Sequence, residues 1–185
     1  MRYILLAVSL LLADPAAAQA TVKLPPGALR WSASRLLTAA DFKGRPRPDE
    51  GHAALTSANI NSGASCRDNT FQATARASFD PATSWVRDPA HMTPALLRHE
   101  QLHFDIAEVH ARLMRQQLQA LHVACDAMGP IFNKLSQAGY AAWQQAEDAY
   151  DRETNHGLNK PQQAAWETRV REQLATLAAF AEPES

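Results

Sequence analysis

The chain has 185 residues, 46% of them hydrophobic, and carries 18 Lys and Arg against 19 Asp and Glu, for a formal net charge of −1. That balance excludes the concentrated basic surface with which a nucleic-acid-binding protein neutralises phosphates. The length and apolar content suffice for one domain with a hydrophobic core.

At the start, Arg2, the apolar run Tyr3 to Ala13 and then Ala18-Gln19-Ala20 have the three-part layout of a secretory signal peptide over residues 1–20. The run is too short and asymmetric for a stable membrane anchor. Cleavage before Thr21 leaves residues 21–185, and no cysteine follows the run to carry a lipid. A secreted or periplasmic location follows from this layout. In such an oxidising space Cys66 and Cys125 are expected to form one disulfide. Closing so long a loop is worth about 3 to 4 kcal/mol on the chain-entropy model. Far apart and without a Cys-x-x-Cys partner, the two cysteines are poor zinc ligands.

The front half has strand character. Leu29 to Ser32 reads as a short strand, Leu36 to Phe42 as a turn-bounded segment, and Lys43 to Arg47 as a solvated turn leading into an irregular loop at Pro46, Pro48 and Gly51. Two further strands are expected over His52 to Asn61 and Thr70 to Phe79, with a turn at Asn61-Ser62-Gly63. In the second, Phe71, Ala73, Ala75, Ala77 and Phe79 alternate onto one face.

From Thr93 the period changes to that of a helix. Thr93 caps it and Pro94 takes the favoured first position; the apolar series from Leu96 to Leu121 carries it to about Ala124, and Gly129-Pro130 is expected to stop it. A second helix, about Ile131 to Glu153, has Leu135, Ala138, Ala142, Ala146 and Ala149 along its face. Asn159 caps a third, with Gln162 at the capping-box position and Trp166, Val170, Leu174 and Leu177 at helical spacing. The expected fold is therefore α+β, a small, mostly antiparallel sheet packed with three main helices.

The first of those helices contains His99-Glu100-Gln101-Leu102-His103, the HExxH pattern in the helical context that gives it meaning. One turn brings both imidazoles to one face, where they can approach one zinc ion as in a zincin-like active-site helix. Glu100, rotated by about 100 degrees, can reach the water that the metal polarises and act as catalytic base. A third ligand must come from elsewhere. His110 shares the face but lies about 10 Å farther along an unbroken helix, and FDIAEV has no glycine to turn the chain back. Asp105 and Glu108 point away.

The richest source of a third ligand is Glu147 to Gly157. His156, before a glycine at a chain turn, is the sharpest candidate, with Glu147, Asp151 and Glu153 as carboxylate alternatives. Tyr150 is a candidate catalytic phenol for stabilising a developing oxyanion, or else a packed aromatic. Trp143 and Trp166 read as core or groove aromatics, and His52, His91 and His122 as structural or solvated histidines.

LLRHEQLHFDIAE, YDRETNHG and PQQAAW, together with the earlier WSASRLLTAADFKGRP, resemble the bacterial family known as domain of unknown function 922, whose members are described as predicted secreted zinc-dependent proteases. The resemblance covers most of residues 21–185. It implies a single zinc-dependent protease-like domain with His99 and His103 as Zn2+ ligands, Glu100 as catalytic glutamate and His156 as third ligand. The protease description itself rests on the zinc motif.

Two function classes stand on these residues. One is a metallohydrolase that cleaves peptide bonds in a peptide, protein or cell-wall peptide substrate. The other is a zinc-stabilised binding or assembly protein, whose metal would be closed by a fourth protein ligand. Nothing in the sequence sets the oligomeric state.

Overall fold

The computed structural model describes residues 22–183; the segment read as a signal peptide lies outside them. Its strands are β1 (Leu29–Arg30), β2 (Ala54–Leu55), β3 (Ala58–Arg67), β4 (Thr70–Phe79) and β5 (Trp85–Val86), followed by the helices α1 (Pro94–Gln119), α2 (Met128–Thr154) and α3 (Lys160–Thr176). Three helices packed on a small antiparallel sheet make the fold α+β, as expected.

The sheet runs in the order β1-β4-β3, while β2 and β5 form a separate antiparallel pair. The strand expected over His52 to Asn61 is thus two strands. The hairpin also turns elsewhere than the sequence suggests. Asn61, Ser62 and Gly63 lie inside β3, paired with Arg76, Ala75 and Thr74, and the chain reverses at Asp68-Asn69. Both residues have positive φ, 49° and 59°, the backbone of a tight two-residue hairpin turn. Asp and Asn enter that left-handed region more readily than other side chains, which is why this pair can close the ladder.

The alternation read in β4 is realised where it matters: Ala75, Ala77 and Phe79 are fully buried and pack with Ile60, Phe104, Ala107, Ala111 and Met114. Small side chains on the sheet let α1 lie close against it. On the other side of α1, Leu102, Ile106 and Val109 join Tyr150, Trp166, Val170 and Leu177 in a second core. Covered from both directions, α1 becomes the central element.

Thr93 caps α1 by accepting from Leu96 N at 3.1 Å. The helix ends at Gln119, short of Ala124, and Gly129-Pro130 does not stop it but sits in the first turn of α2. Proline is tolerated there because the amides of a first turn have no partner within the helix. The inner face of α2 is formed by Ser136, Tyr140, Trp143, Tyr150 and Thr154, while Ala138 and Ala142 are exposed. Gly139 permits the helices' close approach, since a Cβ there would lie 2.6 Å from Met114 Cγ. Asn159 caps α3 as read, accepting from Gln162 N.

Cys66 and Cys125 are bonded, joining the end of β3 to the connection between α1 and α2. Among the described residues no helix is long and apolar enough to cross a membrane.

Candidate metal centre

Helix geometry builds the centre from two elements. On α1, His99 and His103 stand one turn apart with ring centroids 4.9 Å from each other. On α2, Trp143, Glu147 and Asp151 recur every four residues and so lie along the side that meets α1. The two rows interlock. Nε2 of His99 and Nε2 of His103 each lie 3.3 Å from Oδ1 of Asp151.

The opposite side of each ring is held from behind. His103 donates from Nδ1 to Glu147 Oε2, and Glu147 Oε1 in turn accepts from Trp143 Nε1 at 2.7 Å. His99 donates from Nδ1 to Gln163 Oε1 at 3.3 Å. With Nδ1 donating outward, Nε2 is the nitrogen that each ring turns to the centre, the arrangement that outer hydrogen bonds impose on metal-ligating histidines.

Asp151 Oδ1 is the revealing atom. It is buried and has no hydrogen-bond partner among the described residues, although two ring nitrogens lie within 3.3 Å. A buried carboxylate oxygen left in this state is costly unless positive charge stands between it and the rings. Protons on the imidazoles can supply that charge, and so can a cation. Burial alone disfavours a charged His103, but Asp151 and Glu147 outweigh it and raise its pKa from 6.5 to about 10. For Asp151, burial pushes upward while His103 and His99 hold it well below the usual carboxylate range.

The donor set could hold a metal ion. His99, His103 and Asp151 offer ligand atoms that all lie within 4.8 Å of one another. A tetrahedral zinc with bonds of about 2.0–2.1 Å keeps its donors about 3.3–3.4 Å apart, and two imidazoles with a carboxylate are donors it accepts.

The third member of this converging group is Asp151, one of the carboxylate alternatives, and His156 stands next to it. Asp151 is carried inward on the helix, whereas His156 follows the end of α2 with φ 54°, half exposed, its Nδ1 3.5 Å from Asp151 Oδ1. His156 therefore stands at the rim, touching the carboxylate. Of the other acidic candidates, Glu147 supports His103, and Glu153 accepts from Trp166 Nε1.

Tyr150 does not face the opening. It is fully buried, stacked on the His99 ring at 4.8 Å, with its hydroxyl within 3.1 Å of the His99 carbonyl and 2.9 Å of Gln163 Oε1. Burial pushes its ionisation upward, so the phenol stays neutral and braces His99 from behind. His110 lies apart, lining a small cavity with Trp166 and Arg169, and Asp105 and Glu108 bond to other partners, as the helix rotation requires.

Above the centre is a cleft of about 710 Å3 whose walls include Glu100, Trp143, Glu147, Asp151, His52 and His156. Thr56, just past β2, donates to Glu100 Oε2 at 2.7 Å, which fixes the carboxylate on the cleft wall. Sequence reading gave no role to Thr56, which belongs to no local pattern, or to Gln163, whose direction PQQAAW does not reveal, and it read His52 as structural or solvated although its ring lies 5.1 Å from that of His156 across the mouth. The four-residue recurrence of Trp143, Glu147 and Asp151 was the signal available for the carboxylates.

Residues 21–157 match the family described as bacterial protein of unknown function (DUF922). No curated protein and no solved structure matches the chain.

Proposed function

Since the chain belongs to DUF922, a bacterial family of unknown function, its activity has to be read from the site, and we propose that it is an exported zinc-dependent hydrolase of peptide bonds. One observation carries the reading: two imidazoles of an HExxH helix, each fixed through Nδ1, present Nε2 to the unpartnered Oδ1 of Asp151 while Glu100 lies on the same cleft wall.

In this reading His99, His103 and Asp151 would hold the ion and leave its fourth position to water, with His156 at the rim beside Asp151 as the alternative third donor that the family motif suggests. When bound there, zinc would supply Lewis acidity, which lowers the pKa of a water towards 7 and polarises a carbonyl. Glu100 takes the proton from the attacking water and returns it to the departing amine. Thr56 occupies one oxygen of Glu100 and leaves the other for that exchange. Tyr150 and Gln163 keep the His99 ring from rotating, and Glu147 does the same for His103. The disulfide is compatible with an extracytoplasmic location.

Glu100→Gln tests the assignment. The variant is expected to bind zinc as the parent does and to lose turnover by about 10²- to 10⁴-fold, because only the proton transfer is removed. Peptide cleavage by the variant at the parental rate, with zinc bound in both, would falsify the reading.

The proximity of His156 to Asp151 favours a second reading, in which a fourth protein donor closes the shell and the metal stabilises a binding protein. X-ray absorption of the zinc-loaded protein separates the two: four protein donors indicate the closed site, three with a water the hydrolase.

A further inference from the structure

We propose that the cleft takes an extended, unfolded polypeptide, laid along the free edge of β2 and held by apolar side chains, so that a protein and not a cell-wall stem peptide is the substrate. The proposal rests on the hydrolase reading of the same site.

The strand edge follows from the pairing. β2 and β5 match Ala54 with Val86 and Leu55 with Trp85, and Arg87 N donates to Ala53 O at 2.8 Å. Bonded and non-bonded pairs alternate along an antiparallel ladder. With 53 and 87 a bonded pair, Leu55 and Trp85 are the next, and Ala54 directs its N–H and C=O away from β5. Neither group is bonded to a turn, loop or side chain of the described residues. Residues 51–56 form one wall of the cleft, so this unpaired edge belongs to it, although Ala54 packs its side chain into the core and is only 8% exposed. An extended chain can add there by main-chain hydrogen bonds that do not depend on its sequence.

The edge leads to the chemistry. Thr56, two residues beyond Ala54, is hydrogen-bonded to Glu100 Oε2. A backbone that follows β2 is therefore carried past the general base.

Side-chain preference comes from the cleft's other surfaces. Of the four large apolar side chains exposed among the described residues, two line this one cleft: Leu55, 43% exposed, on β2, and Leu158, 76% exposed, after α2. Single exposed leucines are ordinary, but a pair facing one opening forms an apolar grip. The lining holds Glu100, Glu147, Asp148 and Asp151 and no Lys or Arg. Acidic side chains are repelled by such walls, while neutral and basic ones are accepted. A short stem peptide rich in carboxylates offers neither the length nor the apolar side chain.

The test uses the zinc-loaded mature chain with β-casein, an unfolded protein, and separately with purified cell-wall sacculi, products being identified by mass spectrometry. Casein should be cut, with Leu, Ile, Val, Phe or Met beside the scissile bond enriched roughly tenfold or more over composition, and with Asp and Glu depleted; sacculi should stay intact. Leu55→Asp and Leu158→Asp together should take up zinc normally and lose the apolar preference. In zinc-loaded Glu100→Gln, a casein fragment spanning a mapped site should slow hydrogen exchange at the Ala54 amide by about tenfold. Cleavage of sacculi alone, cleavage of casein without apolar enrichment, or an unprotected Ala54 amide overturns the substrate assignment and leaves the hydrolase standing. A zinc-loaded protein that cuts neither polymer removes the hydrolase reading, and the substrate with it.

Discussion

Gly157 constrains the candidate metal centre through its backbone and through the space it leaves open. Its φ is +80°, and a Cβ at this position would stand 3.0 Å from Cγ and 3.2 Å from Nδ1 of His99. Asn155 and His156 precede it with φ 48° and 54°, so three successive residues occupy the left-handed region at the edge of the cleft. Backbone strain of this kind persists where surrounding structure holds it, and here it presses the chain against the His99 ring. Gly157→Ala is expected to push His99 off its hydrogen bond to Gln163 and to weaken zinc binding about tenfold or more, by analogy with other losses of outer-shell support. Competition with a chromophoric chelator measures it; unchanged affinity would mean that His99 tolerates the shift. The HExxH residues were legible because a four-residue spacing is a local fact about one helix. Asp151 was one of several carboxylates in the sequence, and only the packing of α2 on α1 turns it inward while leaving His156 beyond the helix end.

Among the elements, α1 carries both cores and is held at its far end by a buried ionic cluster. Glu108 Oε1 accepts from Arg112 Nε at 2.9 Å and Arg115 Nη2 at 2.7 Å, while Arg115 also donates to the carbonyls of Ala75 and Phe180. One guanidinium thus ties helix, sheet and C-terminal segment together. Arg115→Ala strands part of that buried charge and two carbonyls, and should cost about 3–5 kcal/mol in urea unfolding. His110, on the same helix, is shifted the other way: burial lowers its pKa below 6.5. Above pH 6.5 it is neutral folded and unfolded and contributes no pH dependence; as pH falls below 6.5 the unfolded chain takes the proton first, and stability is lost toward the folded value. His110→Gln should therefore gain on the parent between pH 7.5 and 5.5, by under about 1 kcal/mol because the ring is partly exposed. An equal loss in both proteins would exclude His110 as a source. Helix caps at Thr93 and Asn159 were readable from side-chain chemistry. The turn was misread because Asn61-Ser62-Gly63 and Asp68-Asn69 are both turn-prone, and only the register of two ten-residue strands decides between them.

Across the whole molecule, the disulfide and the cleft divide stability from chemistry. Cys66 and Cys125, 59 residues apart, tie the tip of the β3–β4 hairpin to the α1–α2 connection, and neither lines the cleft. Their bond acts mainly by restricting the unfolded chain, with about 3 to 4 kcal/mol expected for a loop of this length. The proposed ligands are held differently: His99 and His103 share one helix, and Asp151 reaches them through the packing of α2, with supports from Trp143, Glu147 and Gln163 that involve no cysteine. Replacing both cysteines by serine should then lower the urea midpoint by an amount matching that loss, while zinc affinity, measured well below the new midpoint, stays within about twofold of the parent. Loss of zinc affinity in the still-folded double variant would show that the hairpin and the α1–α2 connection transmit to the metal centre. Its retention would locate the disulfide's contribution in survival of the fold, leaving α1 and α2 to position the proposed ligands by their own contacts.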